Sequence, residues 1–446
     1  MSLSSRMAPA DDPSLDARYG AIVIGAGAAG LLAAIRLAEF GRRTLLLEKN
    51  RKPGVKILIS GGTRCNLTHD CDERGIVAAF GSAGKFLHSP LAALGPRELV
   101  GLFEAEGVPT YVEAGTGKIF PKSDRAVDVV AALVRRLNRS GATLALGEPA
   151  VDVQRVADGF HVVTPRRTLA CDKLLITVGG MSYPRCGTTG DGYAWLAALG
   201  HTIRPPRPAL VPLTSDEDWV RQLSGIALPD VLVRVVDPGR AATETPAVAR
   251  RRGLSPGVLI ERRTALLFTH FGLSGPAALD VSRAVTGAAD PRRLRLDVDC
   301  LPDLSAAALD DRIRATAASD GRRNAIGIFD EFFPRRVAEA IFAQAGVPLD
   351  RRFAELSNAE RAALVKAAKA LAMRVSGSRG FAKAEVTAGG VALDEVDSRT
   401  MQSKRVPNLY LAGEILDFDG FIGGYNFQAA FSTAWLAAES MFSEST

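Results

Sequence analysis

The chain has 446 residues, of which 47% are hydrophobic and 23% charged, a composition that points to a globular protein of two or three domains. No run of about 18 apolar residues occurs, so no membrane-spanning helix is expected. Five scattered cysteines, Cys65, Cys71, Cys171, Cys186 and Cys300, include no CxxC pair. That argues against a disulfide framework and a zinc site, and for a reducing cytoplasm. The net charge of +6 is carried mostly by arginine and is diffuse. It leaves open a polyanionic partner such as RNA, an ordinary solvated surface, or a compositional bias.

In chain order, the first twenty residues read as a tail without the apolar stretch of a secretory signal. "YGAIVIG" then reads as a buried strand, and "AAGLLAAIRLAEFG" as a helix stopped at Gly41. Between them stands Gly25-Ala-Gly27-Ala28-Ala29-Gly30, and a second strand, "RRTLLLE", ends in Glu48 followed by Lys49. This is the βαβ dinucleotide fingerprint in its required context. Gly25 permits the tight turn, Gly27 lets backbone approach a diphosphate, and Gly30 lets helix pack on strand. Glu48 is placed to accept hydrogen bonds from ribose hydroxyls.

Next comes "KILISGGTRCNLT" (56–68), a glycine loop with Ser60, Gly61, Gly62, Arg64 and Cys65. "GSAGKF" (81–86) is not a phosphate loop, because Phe follows the lysine. Residues 150–180 alternate apolar and polar, with a hairpin signal at Asp158-Gly159, and feed the strand "KLLITVGG" ending at Gly179-Gly180. "GGMSYPRCGTTGDGY" is rich in hydroxyl and small residues, with Asp191 placed as a helix N-cap. Residues 207–300 are strand-like with Pro and Gly punctuation, and 304–372 are helix-like. The C-terminal segment reads as a strand at 409–412, a Gly413-Glu414 turn, a loop with Asp417, and Gly423-Gly424 opening a final helix. A second ligand-facing helix start, so far along the chain, suits a long two-part cofactor. The segment resembles the one that closes the sheet around FAD in two-dinucleotide-fold flavoproteins, which implies FAD with its ADP half on the first fingerprint and its flavin towards the last helix. No second GxGxxG is present, so a nicotinamide donor, NAD(P)H, would bind only transiently.

Four of these segments, 56–68, 179–201, 266–282 and 386–434, together with the fingerprint, resemble the HI0933-like flavoproteins over nearly the whole chain. One departure is Thr63, where relatives usually carry a third glycine. The resemblance implies an α/β fold: a Rossmann-like FAD-binding domain of the two-dinucleotide-binding flavoprotein type, made of 18–200 and 374–446, with an inserted β-barrel-like domain (201–302) and a small helical domain (303–373). It implies a cofactor site formed by Gly25, Gly27, Ala28, Ala29, Gly30, Glu48, Lys49, Ser60, Gly61, Gly62, Arg64, Val151, Gly179, Gly413, Glu414, Asp417, Gly424, Tyr425 and Asn426. No metal is expected.

The expected chemistry is hydride transfer through flavin N5, with NAD(P)H as reductant. Members of the family are associated with reduction of a uridine C=C bond in ribosomal RNA, with steroid-type C=C reduction and with amine oxidation. An ene-type reductase acting on a small molecule or RNA leads. An amine oxidase and a non-catalytic FAD-binding factor associated with RNA or assembly stay open. Candidate proton donors are Cys65, which can equally be a buried small residue, Cys186, and His270 in "FTHFGLSG". Arg64 is open between a flavin contact and a structural ion pair. Tyr183, Thr188, Thr189 and Asp191 can orient substrate or brace the loop. No stable protein partner is expected.

Overall fold

The computed structural model describes residues 18–443; residues 1–17, which hold most of the expected tail, and 444–446 lie outside the described residues. The chain forms two compact units. One runs up to Arg207 and resumes at Glu385; the other is Pro208–Ala384.

In the first unit, β1 (Tyr19–Ile24) is flanked by β2 (Thr44–Glu48) and, beyond it, β3 (Thr143–Leu146), all parallel. The hairpin β4 (Asp152–Val156) and β5 (Gly159–Val163) leads into β6 (Thr168–Ile176). β6 pairs parallel with β1, and antiparallel with β5 through its first half. The order is β3-β2-β1-β6-β5-β4. Both faces of β1 and β2 are covered, which is why they read as unbroken apolar runs rather than alternating ones. Helices α1 (Ala28–Glu39) and α2 (Ala126–Ser140) flank the sheet; Gly141, at φ 85°, ends the second. The hairpin turn is Ala157-Asp158, one residue earlier than expected. Gly159 is instead the first strand residue, where a Cβ would lie 2.1 Å from the Cys171 carbonyl.

The second unit is a seven-stranded antiparallel sheet. Its strands are β7 (Leu213–Thr214), β8 (Ala227–Val236), β9 (Val258–Thr269), β10 (Gly272–Ser274), β11 (Arg295–Asp299), β12 (Leu371–Arg374) and β13 (Gly377–Ser378), in the order β12-β11-β8-β9-β10-β7-β13. The helical stretch 303–373, expected as a domain of its own, shares one apolar core with this sheet: Leu309, Phe329, Phe342 and Leu364 pack in the same cluster as Val233, Leu266 and Val298. Residues 374–384, expected in the FAD domain, belong to this unit because β13 pairs with β7.

The chain returns to the first unit through β14 (Val386–Val391) and β15 (Leu409–Leu411). β15 lies parallel to β6, and α3 (Tyr425–Ser443) packs against α1. The first and last parts of the sequence thereby share one sheet and one core. Among the described residues no helix is long and apolar enough to cross a membrane.

Candidate cofactor and active site

The three fingerprint glycines occupy three different spaces. Gly25 takes φ 100°, and a Cβ there would sit 2.8 Å from the Thr177 carbonyl. At Gly30 a Cβ would lie 1.8 Å from the Gly25 carbonyl, so helix and strand touch through bare backbone. Gly27, the N-cap of α1, has nothing within 4 Å of its Cβ position. No side chain caps α1 and its first turn holds no acid. The positive end of a twelve-residue helix thus faces open space with Ala28 and Ala29 behind it.

Glu48 ends β2 beside that turn. One carboxylate oxygen accepts from Ala26 N–H at 2.8 Å and the other from Asn50 N–H at 2.8 Å. Each oxygen keeps a further lone pair. Lys49 turns to Asp191 (2.5 Å) and Thr189 (2.6 Å). Asp191 is therefore not the N-cap that was expected: Gly190 is, and Asp191 opens the helix 191–198 with its side chain drawn to the lysine. Burial alone would raise its carboxyl; Lys49 and Thr189 hold it below the usual range. Val151 is half exposed and contributes backbone: its N–H donates to Val163 and its carbonyl accepts from Trp195 Nε1.

At the other end of the chain, Gly413 follows β15 with a Cβ position 3.2 Å from the Ala29 methyl. The C-terminal turn thus lies against the first turn of α1. Glu414 beside it is fixed by a network absent from the sequence expectations. Lys56 Nζ donates to Glu414 Oε2 at 2.6 Å and to Ser182 Oγ at 2.6 Å; Ser182 Oγ and Thr387 N–H donate to Glu414 Oε1 at 2.9 Å each. Gly179 turns at φ 72°, and at Gly180 a Cβ would strike Thr387 Oγ1 at 2.3 Å. Asp417 is half-buried, and burial raises its carboxyl against the pull of Arg207 and Arg204.

The 60–66 loop reaches the start of α3. The Asn66 amide, in the orientation its neighbours require, donates to Thr68 O at 2.9 Å and accepts from Gly424 N–H at 3.0 Å. Gly424 has no room for a Cβ, with Thr68 O at 2.5 Å. Gly61, Gly62, Thr63 and Cys65 all take left-handed backbone, an unusual density in which Thr63, β-branched at φ 71°, is the strained member. Ser60 Oγ donates to the Ile57 carbonyl. Tyr425 stacks on His69, ring centroids 4.6 Å apart.

Several expected residues are committed elsewhere. Cys65 has no exposed surface and lies inside the apolar core, where burial pushes its thiol up to about 12. Its thiol reaches no surface in this arrangement. Arg64 pairs with Glu113 at 3.0 Å and lies 3.9 Å over the Phe120 ring. The Asn426 side chain closes its own loop through Gly420 and Phe421. Cys186 is part-exposed on a 3₁₀ turn, its carbonyl bonded to Asn50 Nδ2, its thiol raised by burial and drawn back by Lys56. His270 is exposed in the second unit, edge-on to Phe271. Lys56, Ser182 and Thr387 were not anticipated. The only local signal was the position of Lys56 at the head of the glycine loop.

The residues fit an extended dinucleotide. An open Gly27 at an uncapped helix end, an anchored acid at the end of β2, and a Gly-Glu turn pressed on the same helix stand together in one unit.

The model of the HI0933-like protein Rossmann domain matches residues 19–440. The chain belongs to the HI0933-like family of FAD-dependent oxidoreductases. A ribosomal RNA dihydrouridine synthase of Escherichia coli is 32% identical over 95% of this chain and 98% of its own length. A 3-dehydro-bile acid delta(4,6)-reductase of Clostridium scindens is 28% identical over 93% of this chain and 97% of its own. Among solved structures, a 3-ketosteroid-delta4-(5alpha)-dehydrogenase of Rhodococcus jostii aligns over 97% of this chain and 98% of its own, at 14% identity and a TM-score of 0.48.

Proposed function

We propose that the protein is an NAD(P)H-driven ene-reductase that saturates a C=C bond conjugated to a carbonyl, with a uridine of RNA as its substrate. The observation that carries this reading is the Gly413–Ala29 contact, which sets both cofactor-facing regions of a family oxidoreductase side by side. The choice of reaction rests on two full-length relatives. Dihydrouridine is uridine with its ring C=C saturated, and a delta(4,6)-reductase also saturates C=C bonds. RNA rather than a steroid is favoured by the higher identity to the first and by the net charge of +6.

When bound, FAD supplies hydride chemistry at its flavin N5. The chain supplies the rest. The α1 amides and Gly27 take the diphosphate, Glu48 the adenosine ribose, and Glu414, held by Lys56, the flavin side. Cys186, part-exposed beside Lys56, holds the proton that the second carbon receives. A nicotinamide reductant binds transiently. The free cysteines suit a reducing cytoplasm.

The test has two arms. Under anaerobic conditions NADH or NADPH bleaches the visible flavin band, and uridine-containing RNA restores it. In a deletion strain, mass spectrometry of ribosomal RNA finds one dihydrouridine fewer. Unchanged dihydrouridine overturns the RNA reading. Rapid oxygen consumption with peroxide release from amines replaces the reductase with an oxidase. No bleaching by either nicotinamide leaves a non-catalytic module.

A further inference from the structure

We infer that the end of the second unit's sheet where β8 finishes and β9 begins is a docking surface for the phosphate backbone of RNA. The inference rests on the RNA reading above and names where that substrate is gripped.

The register collects the residues. Arg374, Arg295, Val236 and Val258 lie in one row across β12, β11, β8 and β9, about 14 Å wide at the usual strand spacing. Two excursions leave from this row. One, 237–257, carries Arg250 and Arg251 on a short helix; the other, just before β11, carries Arg292 and Arg293. These four arginines are exposed, and no side-chain partner of theirs occurs among the described residues.

The acids at this end are turned to other duties. Asp237 accepts from Gly239 and Arg240 N–H, and Asp290 from Arg292 N–H. Glu244 is enclosed by Arg240, Arg252 and Gly257 N–H. Glu217 takes Arg374 N–H, and Asp297 pairs with Arg295. Among the described residues Arg250, Arg251, Arg292 and Arg293 therefore have no carboxylate bound to them, and the basic groups at this end outnumber the acids.

Arg295 and Arg374, both exposed, are direct cross-strand partners. Asp297 neutralises Arg295, which leaves the exposed Arg374 guanidinium beside it for an anion. Compositional bias explains arginine in place of lysine; it does not explain unpaired arginines gathered at one end of one sheet while most others in this unit are paired. Guanidinium forks suit phosphate oxygens. A surface that reads backbone and not bases suits an enzyme that must hold a long RNA while reacting with one nucleotide.

The experiment compares the FAD-loaded full chain with R250Q/R251Q/R292Q/R293Q and with a control of equal charge loss, R97Q/R155Q/R166Q/R322Q, at exposed arginines elsewhere. The probe is total ribosomal RNA from the deletion strain, titrated by filter binding at 50–200 mM KCl. The docking variant is expected to bind at least tenfold more weakly with a shallower salt slope, by about 0.7 for each phosphate that is no longer neutralised. The control keeps both affinity and slope, and all three proteins keep the flavin spectrum. Wild-type binding with an unchanged docking variant overturns this surface and leaves the RNA reading standing. An equal loss in the control assigns the effect to net charge and also overturns it. A wild type that binds the RNA no better than serum albumin removes the RNA reading and this surface together.

Discussion

Lys56 and Glu414, 358 positions apart, form a 2.6 Å ion pair that joins the head of the 56–68 glycine loop to the C-terminal turn. Their side chains keep 23% and 20% of their surface, so the pair sits between an exposed bridge worth roughly 0–1 kcal/mol and a buried one whose breakage costs about 3–5. K56M is expected to lose about 1–2 kcal/mol in urea unfolding. FAD affinity should fall about tenfold as Glu414 loses one of its three donors, read by fluorescence titration. Unchanged affinity would mean Glu414 does not face the cofactor.

The fingerprint glycines separate folding from binding. Gly30→Ala places a methyl on the Gly25 carbonyl and should cost about 3 kcal/mol or prevent folding. Gly27 has φ −80° and free space, so Gly27→Ala should leave unfolding within about 0.5 kcal/mol of wild type. It should yield colourless protein, because the methyl stands where a diphosphate must approach. Absorbance after purification, alongside the melting temperature, distinguishes the two.

What could be read from the sequence was what adjacent residues decide. Gly25, Gly27 and Gly30 fall within one strand–helix turn, so their spacing is the signal, and Gly423-Gly424 announces α3 in the same way. Fold class and cofactor followed. The Lys56–Ser182–Glu414–Thr387 network draws on four separate segments, and no local pattern encodes it. The Asp191 expectation lost to a lysine just past the end of β2. The two expected inserts merged because one apolar core, visible only after packing, runs through both.

Thr63 is exposed and held at φ 71°, where a residue with a Cβ costs about 1–2 kcal/mol. Its hydroxyl bond to Gly62 O is local and exposed. Thr63→Gly should therefore raise the urea midpoint, by about 1 kcal/mol in stability after the added chain entropy is subtracted. A fall would show that the Thr63 side chain holds the loop.

The thiols give a map of access. Burial raises Cys65, Cys171 and Cys300 to about 12, and Cys71 to about 11. In the native protein at pH 8, Ellman's reagent should titrate Cys186 first and leave Cys65, Cys171 and Cys300 silent until denaturant is added. Cys65→Ser should keep turnover with flavin bound while losing about 1–2 kcal/mol of stability, the cost of a hydroxyl in an apolar site. Loss of turnover with full flavin content would restore Cys65 as a donor.

One buried cluster should contribute a defined part of the acid sensitivity. His201 Nδ1 lies 3.2 Å from Glu395 Oε2, and burial outweighs that carboxylate to lower the imidazole below its usual range. Burial would raise Glu395, but Thr202 N–H, Arg405 and the Thr202 hydroxyl overcome it and hold the carboxyl at about 2. Both shifts have the same sign: the unfolded chain binds more protons, so each contribution is present above the unfolded pKa and fades as pH falls. The loss begins near pH ~6.5 with His201 and steepens below pH ~4.5 with Glu395. E395Q should lower the melting temperature at pH 7 and flatten its fall between about pH 4.5 and 2, while the decline near pH 6.5 persists. Parallel wild-type and E395Q curves across that lower range would show that the carboxylate is not held as described.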